Sequence, residues 1–467
     1  MEDNKKNNLK MQEKLLEKYE LFRALDELSL KTICNRSGIY KSQGIEGYFI
    51  LLVLLLLNFL GESINHFIRY SRNELFNRCG KDAYYRLSSK EGINWRRFMF
   101  ELSLKVINKL RIYSNWDKRV LIIDDTVISK RGSKIEGLSW VYDHVLSKSV
   151  KGFEGLVLGW SDCSSFIPID FALRGSKKEI VKFYKEGLDK RKISSKRRAE
   201  FYKSKFELSL EMLYRAKRKG IDVGYVLFDS WYCYGNFVKE IVNEIGYNVI
   251  SILKTSPKLM VKYKGKIIHT KRLWSVVYKG KSREKQINLK GNLIKTRSVI
   301  AEFGGINVKL VFCKPLKKKD YLKKQIILLS TDTSLTTEEI IATYKQRWSV
   351  EVLFKEAKSK LFFGKYQVRN FESTICFLTL SLVRYIILSY IERFNGDVRY
   401  KGSIFEKLKY EIEEVNMLCC TENFLNLILS LFEDLESSYT LFCDKLRELL
   451  DIIKYNLQIL IFQRCET

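Results

Sequence analysis

Residues 119–125, RVLIIDD, constrain the fold more than any other segment: a short β-branched run that ends in two acids. Residues 1 to about 115, ahead of it, lack strand alternation. They carry apolar positions at helical spacing, as in LKMQEKLLEKYELFRAL. A run of this kind suits a buried strand with its acids at the strand end. Two further strands are predicted at 150–160 (VKGFEGLVLGW) and 165–173 (SFIPIDFAL), with Gly159, Asp162 and Ser164 as turn residues between them. Together the three make a meander.

A basic helical segment follows at 194–219, then a strand at 224–228 that runs into Asp229, then a helix from about Asn236. Short alternating strands with Gly and Lys turns fill about 248–329. Helix returns at 336–361, opened by Thr-Thr-Glu-Glu, which suits an N-cap and first turn. The order predicts an α/β chain. Its RNase H-like core is interrupted by a β-rich insertion and flanked by N- and C-terminal helical regions. The expected divisions are 1–115 (helical), 116–247 (first part of the core), 248–330 (insertion), 331–362 (last part of the core) and 363–467 (helical).

With 467 residues and 46% hydrophobic content, the chain can build real cores. Its 83 Lys and Arg against 54 acids leave a net charge of +29, so a polyanionic partner is expected: nucleic acid first, an anionic membrane second. The apolar run 48–57 (YFILLVLLLL) is short of the about 20 residues a membrane span needs, so it reads as a core helix. Arg384 breaks the stretch 376–391 in the same way. The N-terminal MEDNKKNNLK has no signal-peptide core. Ten scattered cysteines and three histidines argue against structural zinc or a disulfide framework, and fit reduced thiols in the cytoplasm. No phosphate-binding glycine loop occurs.

Asp125 and Asp229 close two predicted strands, and Glu351 lies on the late helix. Neighbouring strands of such a core could bring the three together. Converged carboxylates repel unless cations neutralise them, and hard oxygen ligands favour Mg2+ or Mn2+. Two such ions can activate a water or 3′-hydroxyl and stabilise the leaving oxygen of a phosphodiester. Asp124 competes with Asp125. Adjacent strand residues face opposite sides, so one of the two enters the site, and spacing does not say which. The segment 344–358, YKQRWSVEVLFKEAK, sets Tyr344, Arg347, Glu351 and Lys358 on one narrow stripe at about 100° per residue, with Glu356 off it.

That segment reads Y-x2-R-x3-E-x6-K, and it resembles the signature of bacterial insertion-sequence transposases of the DDE class, the group typified by insertion sequence 4. The resemblance extends over roughly 116–362. Relatives carry an Asp-Thr or Asp-Ser pair at the end of the first strand. Asp125-Thr126 is similar to that pair, which favours Asp125, and Asp229-Ser-Trp-Tyr-Cys-Tyr is similar to their second acidic element. The resemblance implies that Asp125, Asp229 and Glu351 bind two Mg2+ or Mn2+ ions and catalyse cleavage, while Tyr344, Arg347 and Lys358 contact phosphates at a transposon end. It also implies a cut-and-paste reaction in which a freed 3′-hydroxyl joins target DNA. The partners would then be double-stranded DNA carrying terminal inverted repeats, which the N-terminal helical domain 1–115 would bind, target DNA, and a second copy of the chain.

Three basic clusters, 190–205, 279–297 and 314–324, could track a DNA backbone, with Lys196, Arg197 and Arg198 in the first. Trp274 in the insertion could stack on an unpaired base. His144 beside Asp143 makes no catalytic dyad, since no matching serine motif exists. Two other functions remain open: an RNase H-like nuclease or resolvase without strand transfer, and a transposase-derived DNA-binding protein without catalysis.

Overall fold

The computed structural model describes residues 19–41, 43–70, 79–132, 134–175, 189, 191–278, 285–289, 292–315, 325–394, 401–415, 417, 428 and 448. The chain divides into two compact units, one of residues 1–93 and 390–467, the other of residues 94–389.

In the first unit, α1 (Glu20–Glu27), α2 (Leu30–Arg36), α3 (Gly47–Leu60), α4 (Ile64–Tyr70) and α5 (Lys81–Ser88) precede a further helical stretch at residues 401–415. Every residue from Ile50 to Phe59 of α3 is buried, as expected of a helix that is apolar all round. The helix stops at Gly61, whose φ of 70° is a left-handed position that glycine adopts without strain. The core-helix reading of 48–57 agrees with this burial.

The second unit starts with α6 (Trp95–Leu110). Although the sequence groups this helix with the N-terminal region, it lies on the sheet of the second unit. Arg96 Nε donates to Asp170 at 2.8 Å, and Ser103 Oγ donates to the Pro168 carbonyl at 2.8 Å. The strands are β1 (Val120–Ser129), β2 (Ser139–Asp143), β3 (Lys148–Ser161), β4 (Phe166–Arg174), β5 (Tyr225–Phe228), β6 (Asn248–Ile252), β7 (Met260–Tyr263), β8 (Lys266–His269), β9 (Lys285–Leu289), β10 (Asn292–Phe303), β11 (Ile306–Pro315) and β12 (Ile326–Ser330). The helices among and after them are α7 (Ile193–Glu200), α8 (Lys205–Arg218), α9 (Gly235–Glu240), α10 (Thr270–Tyr278), α11 (Thr337–Lys345), α12 (Trp348–Ser359) and α13 (Phe371–Phe394).

Among the described residues, all twelve strands form one sheet. Its core runs β4-β3-β1-β5-β6, with β1 antiparallel to β3, β3 antiparallel to β4, and β1, β5 and β6 mutually parallel. Parallel neighbours need crossover connections, and α7–α8 and α9 supply them. This is an RNase H-like arrangement, as the element order predicts. The β-rich insertion extends the same sheet: β12 pairs with β6 and carries β11, β10, β7 and β8 beyond it. The strand placed first in the insertion by the sequence, β6, is thus a core strand.

Two local features escape sequence reading. β1 continues past the acids to Ser129, because β3 matches it residue for residue as far as Gly152. A Cβ on Gly152 would stand 2.3 Å from the Ile128 carbonyl, so the strands approach this closely only through glycine. β2 pairs with the first residues of β3 as an exposed hairpin.

Among the described residues, one helix, α13, is long and apolar enough to cross a membrane, and 94% of that apolar window is buried inside the protein. Of the expected helical region 363–467, residues 395–400, 416, 418–427, 429–447 and 449–467 lie outside the described residues, as do 1–18, 42 and 71–78 of the expected helical region 1–115.

Candidate active site

Asp124 and Asp125 lie in β1, and Asp229 directly follows β5. The parallel register pairs Ile122 with Leu227, so two residues further on Asp124 comes level with Asp229. Side chains alternate along a strand, and the two aspartates of β1 therefore leave opposite faces of the sheet. Their partners identify the faces. Arg347 Nη1 donates to Asp124 Oδ2 at 3.2 Å, and its Nη2 donates to Glu351. Two residues along, on the same face as Asp124, Thr126 Oγ1 accepts from Lys358 Nζ at 2.5 Å. The face of Asp124 thus carries α12 with Arg347, Glu351 and Lys358.

Asp125 meets the other side. It accepts from Lys205 Nζ at 2.9 Å and from the Tyr232 hydroxyl at 2.7 Å. Lys205 also pairs with Glu154 at 2.5 Å and lies 4.3 Å from the centre of the Trp231 ring. It is the first residue of α8, fixed by a capping box in which Ser204 and Glu207 exchange hydrogen bonds. Sequence reasoning favours Asp125. The contacts instead join Asp124 to Glu351 through a shared guanidinium and commit Asp125 to a buried lysine.

The helix carrying the signature is interrupted. α11 ends at Lys345 and α12 begins at Trp348, but Gln346 and Arg347 between them keep right-handed helical backbone, so Arg347 still meets Glu351 one turn on and the stripe faces β1. The start of α11 follows the sequence reading: Thr336 and Glu339 form its capping box. Across the break Tyr344 keeps its ring 6.0 Å from the Arg347 guanidinium. Its hydroxyl oxygen is buried, which does not suit the expected phosphate contact. Lys358 is turned into β1, with a second bond of 2.9 Å to the Val127 carbonyl.

Electrostatics bear on Asp124 and Asp229. Burial pushes the Asp124 carboxyl up to about 7; Arg347 opposes the shift, and Asp125 and Asp229 add to it. Burial also raises Asp229, against the Trp231 amide that hydrogen-bonds it, with Asp125 raising it further. Burial outweighs the Arg347 charge at both carboxyls, and the neighbouring acids add to it. Among the described residues, no three acidic, histidine or cysteine side chains stand close enough together to hold a metal ion. The donor chemistry nonetheless fits a hard divalent cation, because Asp124, Asp229 and Glu351 offer oxygen ligands around a single internal guanidinium.

The remaining candidates separate by burial. Arg197 and Arg198, expected on a DNA-binding surface, are 6% and 2% exposed. Arg197 donates to the Phe171 carbonyl and Glu200; Arg198 pairs with Glu136 at 2.7 Å and Glu372 at 2.6 Å. They are internal ties, and only Lys196 of the three is exposed. Trp274 stacks on Tyr278 with centroids 5.1 Å apart and meets Phe312 edge-on, so it is half-buried in an aromatic cluster. Residues 190, 279–284, 290–291 and 316–324 of the basic clusters lie outside the described residues.

Sequence reasoning did not find Lys205, Glu154 or Tyr232. Lys205 sits at the end of a lysine-rich run, and nothing in its spacing separates it from its neighbours. Asp124 could have been ranked higher by aligning the ends of the two parallel strands.

A family model described as DDE superfamily endonuclease matches residues 70–271, and one described as transposase DDE domain matches residues 206–387. No curated protein matches the chain.

Proposed function

The chain belongs to the DDE transposases, and on that premise we propose that Asp124, Asp229 and Glu351 hold two divalent cations and cut DNA at transposon ends. The observation that carries this reading is the Arg347 guanidinium bonded to both Asp124 and Glu351. It draws an acid of β1 and the acid of the signature helix into one locus, on the level of Asp229. Mg2+ or Mn2+ bound there would supply Lewis acidity and lower the pKa of a bound water or 3′-hydroxyl.

The protein's own groups orient and neutralise. Arg347 balances the acids before substrate arrives and can turn to a phosphate, for which a planar guanidinium is well suited. Lys205 and Tyr232 hold Asp125 on the far side of β1, which fixes the strand on which Asp124 is carried. Lys358 ties α12 to that strand through Thr126, so the helix acid and the strand acid keep their relative position.

Cleavage followed by attack of the new 3′-hydroxyl on target DNA is the proposed full reaction, and a pair of chains bridging two inverted ends is the proposed assembly. The expected DNA contacts are Arg347 and Lys196. A nuclease that cuts without joining is the competing reading. The test is incubation of pre-cut ends bearing 3′-hydroxyls with a circular plasmid and Mg2+: joined products support strand transfer, and cutting without joining favours the nuclease.

A further inference from the structure

The β2–β3 hairpin carries a group of exposed side chains that the chemistry leaves unused. Trp140 and Tyr142 are 55% and 52% exposed, and Val145 and Leu146 at the turn are 92% and 55% exposed. Lys151 stands over the Trp140 ring at 5.5 Å. The register shows which way this patch looks. Asp124 pairs with Val157, Thr126 with Gly155, and Ile128 with Phe153. Alternation continues to Lys151, which pairs with Trp140, and to Ser149, which pairs with Tyr142. The aromatic pair therefore shares a sheet face with Asp124. Near the hairpin turn, Asp143 acts electrostatically on Lys358 of α12.

We propose that this hairpin is a second DNA-contact surface, its aromatic rings lying against the sugars of a duplex and Lys151 against a phosphate. The inference rests on the proposed cleavage site, because the distance is counted from Asp124. Lys151 and Ser149 precede Val157 by six and eight residues on the continuous strand β3. At about 3.3 Å per residue that is roughly 20–26 Å, or about six to eight base pairs at 3.4 Å each. Contacts to sugar and phosphate carry no base identity, so the surface adds affinity without reading sequence. A chain of charge +29 favours such a polyanion over an apolar partner.

The test uses the full chain with W140A/Y142A and two duplexes centred on the outer boundary of the inverted repeat bordering its gene. One extends about 12 base pairs, roughly 40 Å, to each side; the other extends about four, roughly 14 Å. The variant is expected to bind the long duplex at least about tenfold more weakly and the short one equally well. Equal binding of the long duplex by both proteins would overturn the proposal, as would an equal loss on both duplexes or a change confined to self-association. Cleavage by the wild type with Mn2+, read in parallel, reports on the proposed function separately. A wild type that does not cut but shows the length-dependent loss keeps the surface and discards the reaction.

Discussion

The two faces of β1 differ by one residue in sequence and by their whole chemistry in space. On one face, half-buried Asp124 shares the Arg347 guanidinium with Glu351. On the other, Asp125 accepts from Lys205 and Tyr232 in a closed set of partners that includes Glu154. Identical side chains one residue apart thus separate into one that shares an arginine with the acid of the signature helix and one that shares a lysine with Glu154. What divides them is which helix lies above the strand and whether the cation it brings is shared with a second site acid.

The sharpest way to break this comparison is to neutralise each acid in turn. D124N, D229N or E351Q should each remove a ligand worth several kcal/mol of charge stabilisation, which is at least about a thousandfold in cleavage rate. A D124N protein that cuts at the wild-type rate, assayed on supercoiled DNA with Mg2+, would put the divide in the wrong place. K205M comes next. It leaves Asp125 and Glu154 buried together without their cation, and urea unfolding should register a loss of about 3 kcal/mol. D125N should cost less, about 1–3 kcal/mol of stability, since Lys205 keeps Glu154. Its cleavage should fall by only about tenfold, as for a group outside the ligand set.

A smaller effect is read from pH. The Asp124 carboxyl is raised from 3.8 to about 7, so the folded protein holds this proton more tightly than the unfolded chain. Its stabilising contribution is complete below pH 3.8 and is lost as pH rises through about 7. In cation-free buffer, D124N should therefore lose less stability than the wild type as pH is raised from 4 to 7. Parallel melting curves for the two proteins over that range would remove the distinction between the faces.

The sequence made the core legible where local pattern and tertiary need agree. RVLIIDD can only be a buried strand, GYVLF leads Asp229 out of the next, and Thr-Thr-Glu-Glu caps α11 as read. Glu351 and Arg347 were visible because four chemically unlike residues recur at fixed spacing. The choice between Asp124 and Asp125 was not legible, because it depends on the register of β1 against a strand a hundred residues away. The Asp-Thr pair points to Asp125; the partners above and below the sheet point to Asp124. Nor does a basic run say which of its cations face water. Lys196, Arg197 and Arg198 are consecutive, yet two of them are drawn inward by Glu136, Glu200 and Glu372, acids spread over more than two hundred residues. The break between α11 and α12 was hidden too, since Gln346 and Arg347 are good helix formers and no glycine or proline marks the turn.

Calorimetric titration of Mn2+ into wild-type protein, D124N and D125N without DNA addresses the division of β1 most directly. D125N should take up the cation nearly as the wild type does, and D124N should lose most of that binding. Binding retained by D124N and lost from D125N would show that the acid facing Lys205, and not the one facing Glu351, is the metal ligand.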